Sequence, residues 1–193
     1  DHIKHVLELE AVDVDAIRSA GFKVVLDAVN SVGGIIMPRL LESLGVECIM
    51  LNCEPTGEFA HNPEPLPQNL VELSETVVRE HADFGISVDP DVDRLAFICE
   101  NGEAFVEEYT LVSVADYLFS RAAAKAKEKG ISLEEAVAPY KPVSCSNLSS
   151  SRALRDVSEQ YGGRYEASAV GEVNVTTKMR AESALIGGEG NGG

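Results

Sequence analysis

The chain has 193 residues, 45% hydrophobic and only 6% aromatic with no Trp, which is enough length to bury a core and predicts two small α/β units rather than an aromatic-rich β-sandwich. Acidic residues number 32 against 16 basic, a net charge of -16, which argues against nucleic acid and anionic membrane as partners because both need clustered Lys and Arg. No apolar run approaches the ~20 residues of a spanning helix and Asp1 to Glu10 is amphipathic rather than signal-like, while Cys48, Cys53, Cys99 and Cys145 form no CxxC pair and read as reduced thiols of a cytoplasmic protein.

Apolar spacing predicts helices over Ile3 to Leu9 and Val14 to Ala20, then a buried strand over Phe22 to Asp27. The loop Asn30-Ser-Val-Gly-Gly34 opens a helix striped by Ile36, Leu40, Leu41 and Leu44 and closed by a left-handed Gly45. A second strand follows at Val46 to Leu51. Pro55, Pro63, Pro65 and Pro67 make residues 53–67 an irregular excursion. Helix resumes at Asn69, where Asn69 and Glu72 have the spacing of a capping box. Asp83 to Val88 is the third strand, and only an acidic loop separates it from a fourth at Leu95 to Cys99. That loop is too short for a crossover helix, so the last two strands run antiparallel and the sheet is mixed.

Asn101-Gly102 is a turn signal and marks the boundary, with residues 1–102 in one domain and residues 103–193 in the next. A long helix begins near Tyr109, and Ala122 to Pro139 reads as a solvated insertion with a Ser132/Glu135 capping box. Strand (Lys141 to Ser144), helix (Ser150 to Tyr161), strand (Arg164 to Ala169), helix (Val173 to Ala181) and strand (Ala184 to Ile186) then alternate. The expected fold class is α/β: two three-layer α/β/α units, each on a small mixed sheet of about four strands. The chain stops at Gly193 inside a glycine-rich loop, so the second unit is expected to be truncated.

Chemistry concentrates in Gly85-Ile-Ser-Val-Asp-Pro-Asp-Val-Asp-Arg-Leu-Ala96, an apolar strand that ends in Asp89, Asp91 and Asp93 with Arg94 next. Carboxylates at alternate positions converge on one point. Oxygen-only ligands suit a hard cation such as Mg²⁺, and an adjoining guanidinium suits phosphoryl oxygens. Three other readings compete. One is a solvated acidic turn. A calcium loop would have Glu100 in its twelfth position but Arg94 where its sixth needs Gly. A phosphatase of the haloacid-dehalogenase type would use Asp89 as nucleophile, yet usually carries Thr or Val in place of Asp93.

Three further segments bear on the choice: Ile186-Gly-Gly-Glu-Gly-Asn-Gly-Gly193, Ala169-Val-Gly-Glu-Val-Asn-Val175 and Glu54-Pro-Thr-Gly-Glu-Phe-Ala-His-Asn-Pro-Glu-Pro65. Together with the Asp-x-Asp-x-Asp-Arg loop they resemble, in order, motifs of the phosphoglucomutase and phosphomannomutase family. The resemblance covers essentially the whole chain, as that family's second domain and most of its third. It implies that Asp89, Asp91 and Asp93 hold Mg²⁺, that Arg94 contacts the phosphate of a phosphoserine, and that Glu189 accepts hydrogen bonds from sugar hydroxyls. Asn191 stands where many relatives have Ser, and Gly171 lies in a substrate loop. The implied reaction moves a phosphoryl group between positions 1 and 6 of a phosphorylated hexose or hexosamine, with hexose 1,6-bisphosphate as primer.

Departures from the family pattern matter too. Pro90 and Val92 replace two glycines, Gly193 replaces a His sometimes assigned to proton transfer, and Ala60-His-Asn-Pro63 lacks the phosphorylated serine of a first-domain loop that ends Ser-His-Asn-Pro. His61 and Asn62 therefore read as turn residues, and Ser149 to Ser151 as a helix cap. The serine is expected in a missing N-terminal domain, with a C-terminal domain missing as well, so this chain alone is expected to be inactive. The Glu-Gly-Asn-Gly-Gly ending leans towards the glucosamine mutases of the family. An Asp-nucleophile, Mg²⁺-dependent sugar phosphatase and a non-catalytic, metal-dependent binding module stand as alternatives.

Overall fold

The computed structural model describes residues 2–193, which divide into two compact units between Phe105 and Val106. The first unit opens with α1 (His2–Leu7) and α2 (Val14–Ala20). Asp13 caps α2 by accepting from Ala16 N at 3.0 Å, and Gly21 closes it in the left-handed region at φ 64°. Then come β1 (Lys23–Asp27), α3 (Gly33–Ser43), β2 (Glu47–Leu51), a 3₁₀ turn (Pro67–Asn69), α4 (Val71–Glu80), β3 (Phe84–Val88), β4 (Leu95–Cys99) and the short β5 (Ala104–Phe105).

The sheet order is β2-β1-β3-β4-β5, parallel from β2 to β3 and antiparallel from β3 to β5. Side-chain alternation along β1 explains the layers. Val24 and Leu26 face one way and pack with Leu41 of α3, Ile86 and Val88. Val25 faces the other way and packs with Leu73 and Val77 of α4 and with Ile98. Both faces are covered, so Val24, Val25 and Leu26 form an unbroken apolar run in β1, each such side chain contributing roughly 1.5–3 kcal/mol.

The second unit holds α5 (Glu108–Lys129), α6 (Leu133–Val137), β6 (Lys141–Asn147), α7 (Ala153–Gln160), β7 (Arg164–Ser168), α8 (Glu172–Glu182) and β8 (Ala184–Gly188). Its sheet runs β7-β6-β8, all parallel. Phe119 and Val112 of α5 pack with Leu154 of α7 on one face, and Val175 of α8 packs with Val143 and Cys145 of β6 on the other. Both units therefore wind identically: the first strand is central, the second lies on one side and the third on the other. Loops after the first and third strands meet where the winding reverses, the crevice in which open α/β sheets bind ligands.

Several details differ from the expectation of two mixed sheets of about four strands. The first sheet has five strands because the chain folds back once more after Gly102, and the second has three, all parallel. The Asn69/Glu72 capping box does not form. Pro67 starts a 3₁₀ turn that moves the N-cap of α4 to Leu70, and Asn69 Nδ2 donates instead to Glu64 O at 2.8 Å. The Ser132/Glu135 box is present with both halves. Residues 122–139 are not simply solvated, since Ala122, Ala136 and Val137 are buried.

Candidate functional site

At the carboxyl end of β3 the chain turns sharply, with Val92 N donating to Asp89 O at 3.1 Å and Val92 itself at φ 61°. A left-handed conformation is costly for a β-branched residue, and glycine would adopt it without that cost. The turn points two backbone N–H groups inward. Asp93 N and Arg94 N donate to Oδ1 of the fully buried Asp89 at 3.1 and 3.0 Å, and Arg94 Nε donates to its Oδ2 at 3.0 Å. Ser31, from the loop after β1, donates to Pro90 O at 2.5 Å and ties the two loops of the crevice together.

Carboxylate oxygens of Asp89, Asp91 and Asp93 lie within 4.8 Å of one another, Asp89 buried and the other two exposed. Burial alone would push Asp89 up, but the hydrogen bonds from the Arg94 backbone, Asp93 and the Arg94 guanidinium hold its carboxyl below the ordinary value. The counterpart is Asp93, pushed up to about 6 by its hydrogen bond to Asp89, by partial desolvation and by the charges of Asp89 and Asp91. The loop is thus short of positive charge. An all-oxygen donor set of few protein ligands fits Mg²⁺, which keeps positions for water and phosphate.

Arg94 is one-third exposed, with Nε turned onto Asp89 and Nη1 3.6 Å from Glu64 Oε1. Glu64 belongs to the proline-rich excursion, whose anchor is His61 rather than a plain turn. Its Nε2 lies 3.0 Å from Oδ2 of the fully buried Asp27, and its Nδ1 lies 2.8 Å from Asn62 O. Asp27 Oδ1 accepts from Val29 N at 2.9 Å, and its Oδ2 also accepts from Asn52 Nδ2 at 3.3 Å. The excursion closes over the start of α3 so tightly that a Cβ on Gly34 would stand 2.1 Å from Cys53 O.

In the second unit, Glu189 follows β8 and Gly171 opens α8 at φ 111°. Gly171 N donates to Glu189 Oε1 at 2.9 Å, and Asn147 Nδ2, at the end of β6, donates to the same oxygen at 2.6 Å. Asn147 is 3% exposed. Its Oδ1 accepts from Ser149 N, Ser149 Oγ and Ser150 Oγ at 3.1, 2.9 and 2.8 Å, so these serines hold a loop together; of the three only Ser151 reaches α7, accepting from Ala153 N, while Arg152 is the N-cap. Ser150 Oγ accepts from Gly190 N at 2.9 Å. Asn191 Oδ1 accepts from Gly193 N, and Gly193 O accepts from Glu189 N, closing the glycine-rich turn on itself.

The structure therefore brings Asp89, Asp91, Asp93 and Arg94 together in the first unit, and Gly171, Glu189 and Asn191 onto neighbouring loops of the second. Sequence reasoning overlooked Asp27 and Asn147 and took His61 for a turn residue, whereas it bonds buried Asp27. For Asp27 the available signal was a charged residue directly after the apolar run Val24 to Leu26, whereas Asn147 ends a strand that already carries Ser144 and Ser146 and so gave no such signal.

Residues 1–102 match the profile of phosphoglucomutase/phosphomannomutase alpha/beta/alpha domain II, and residues 108–193 match that of domain III. The chain belongs to the phosphoglucomutase/phosphomannomutase family. Among relatives of that family, a phosphoglucomutase/phosphomannomutase from Thermococcus kodakarensis is 34% identical over 196 residues. A protein named probable phosphoglucosamine mutase from Methanopyrus kandleri is 32% identical over 192. These alignments cover 100% and 99% of the chain but 39% and 38% of the relatives, so the chain spans about two fifths of their length. The crystal structure of a family member from Burkholderia thailandensis superposes with a TM-score of 0.75 at 25% identity, covering 93% of this chain and 37% of that one. No helix among the described residues is long and apolar enough to cross a membrane.

Proposed function

We propose that this chain is the metal-loop and sugar-loop portion of a phosphohexomutase that interconverts hexose 1-phosphate and hexose 6-phosphate. The observation that carries the reading is the convergence of three carboxylates with Arg94 bonded to the buried one. The first unit, through β5, would serve as domain II, and the second, from Val106 on, as an incomplete domain III. Asp89, Asp91 and Asp93 would hold Mg²⁺, which when bound supplies charge neutralisation at a phosphoryl oxygen. Asp89 fixes the Nε edge of Arg94, so the Nη edge meets a phosphate brought in by a serine on another part of the protein. An incoming phosphate has to displace Glu64 from that edge.

Glu189 orients the sugar by accepting from its hydroxyls, with Gly171 and Asn191 shaping the loops around it. Hexose 1,6-bisphosphate serves as primer, and the substrate is a phosphorylated hexose or hexosamine. Four free thiols fit a reducing, cytoplasmic setting. The chain by itself, with Ala60 before His61 and no family serine there, is expected to be inactive. The test is the intact parent protein assayed with a bisphosphate primer and the 1-phosphates of glucose, mannose and glucosamine. Conversion to a 6-phosphate, abolished when Asp89, Asp91 and Asp93 are all changed to Asn, is the expected result. Phosphate release by this chain alone, without mutase turnover in the parent, would sink the reading.

A further inference from the structure

Asn147 is a buried amide with both ends of its side chain hydrogen-bonded, and it has no part in the reading above. Its Oδ1 collects three donors from Ser149 and Ser150, which fixes the amide so that Nδ2 must face Glu189. The bond to Glu189 Oε1, at 2.6 Å, spans 42 positions of sequence and joins the end of β6 to the end of β8. A second path closes the ring, because Ser150 Oγ accepts from Gly190 N, the residue after Glu189. Gly171 N adds the third loop, again on Oε1. Both bonds to Glu189 fall on one oxygen, leaving the other as the acceptor for a ligand hydroxyl.

We infer that Asn147 is a positioning residue for sugar recognition, holding the Glu189 carboxylate in the orientation from which it accepts a hydroxyl. This rests on Glu189 being the sugar contact and deepens that reading. A long carboxylate side chain on a glycine-rich turn has many rotamers, and a buried amide locked by three donors removes them before the ligand arrives. The serine-rich loop is then part of the sugar site without touching sugar.

The role makes an ordering that packing alone does not. Asn147→Asp is nearly isosteric, so it should be milder than Asn147→Ala if the residue only fills space. Facing a carboxylate it should be worse, because it sets like charge against Glu189. Equilibrium binding of glucosamine 1-phosphate and of inorganic phosphate to the intact parent protein, by calorimetry at pH 8 with Mg²⁺, reads this directly. Expected are a loss of about tenfold in sugar-phosphate affinity for Asn147→Ala, a larger loss for Asn147→Asp, and inorganic phosphate affinity within about twofold of the parent throughout.

Ser150→Ala, which removes one donor and the Gly190 tie, should give a smaller loss in the same direction and stands in if Asn147→Ala does not fold. Unchanged sugar-phosphate binding in Asn147→Ala overturns the inference. So does a milder effect from Asp than from Ala, or a parallel loss of inorganic phosphate. Binding is measured without turnover, so a parent that binds the sugar phosphate but does not isomerise it counts against the mutase reading and leaves this one standing.

Discussion

Changing Asp93 to Asn should make the first unit more stable without metal and less stable with it. The carboxyl of Asp93 is pushed up from 3.8 to about 6, chiefly by its hydrogen bond to Asp89. A folded-state value above the unfolded one means that the native chain binds the extra proton. The stabilisation is full below about pH 3.8 and is lost as pH rises through about 6. At pH 7.5 the Asp93 carboxylate is charged and is repelled by Asp89 and Asp91. The shift corresponds to at most about 3 kcal/mol, and because half of the Asp93 side chain is exposed, solvent screening reduces this to about 1 kcal/mol.

Removing the charge should therefore raise the unfolding midpoint of the first unit by roughly 4 °C in EDTA at pH 7.5. Mg²⁺ at 100 times its dissociation constant should stabilise the unsubstituted chain by about 2.7 kcal/mol, and the variant by much less. Thermal unfolding followed by calorimetry, with EDTA and then with Mg²⁺, should show the two forms exchanging rank. Equal stabilisation of both by Mg²⁺, or a less stable variant in EDTA, would refute the electrostatic account of the loop.

Mg²⁺ affinity should fall as pH drops below about 6, because Asp93 must give up its proton to ligate; titration calorimetry at pH 5.5 and 7.5 measures this. Gly34→Ala drives a Cβ into Cys53 O and should destabilise the first unit by about 3 kcal/mol or more, read as a lowered denaturant midpoint. His61→Ala removes one of the donors on buried Asp27, costing about 2 kcal/mol, and should expose residues 53–67 to limited proteolysis before any global unfolding.

Legibility in the sequence followed the range of the interaction. The run Gly85 to Val88 followed by alternating aspartates carries its own structure, because strand, turn and carboxylates all lie within a dozen residues. The same holds for the antiparallel return of β4, dictated by a loop too short for anything else. Asn69 and Glu72 had capping-box spacing, but Pro67 imposed its own turn and the local pattern gave way. Asp27 meets His61 across 34 positions, and Asn147 meets Glu189 across 42. No spacing rule reaches that far, since only the winding of each sheet brings those loops to one rim.

That winding separates what folds the molecule from what is proposed to touch ligand. Val143, Cys145 and Val175 are buried between β6 and α8, while Asn147 is the last residue of β6, Gly171 precedes α8 and Glu189 follows β8. Grafting residues 189–193 and 147–151 together from a relative with another sugar preference should thus leave the apolar packing of β6 against α8 undisturbed. The two segments must travel as a pair, however, because the amide in one and the carboxylate in the other are a single lock divided between distant stretches of gene.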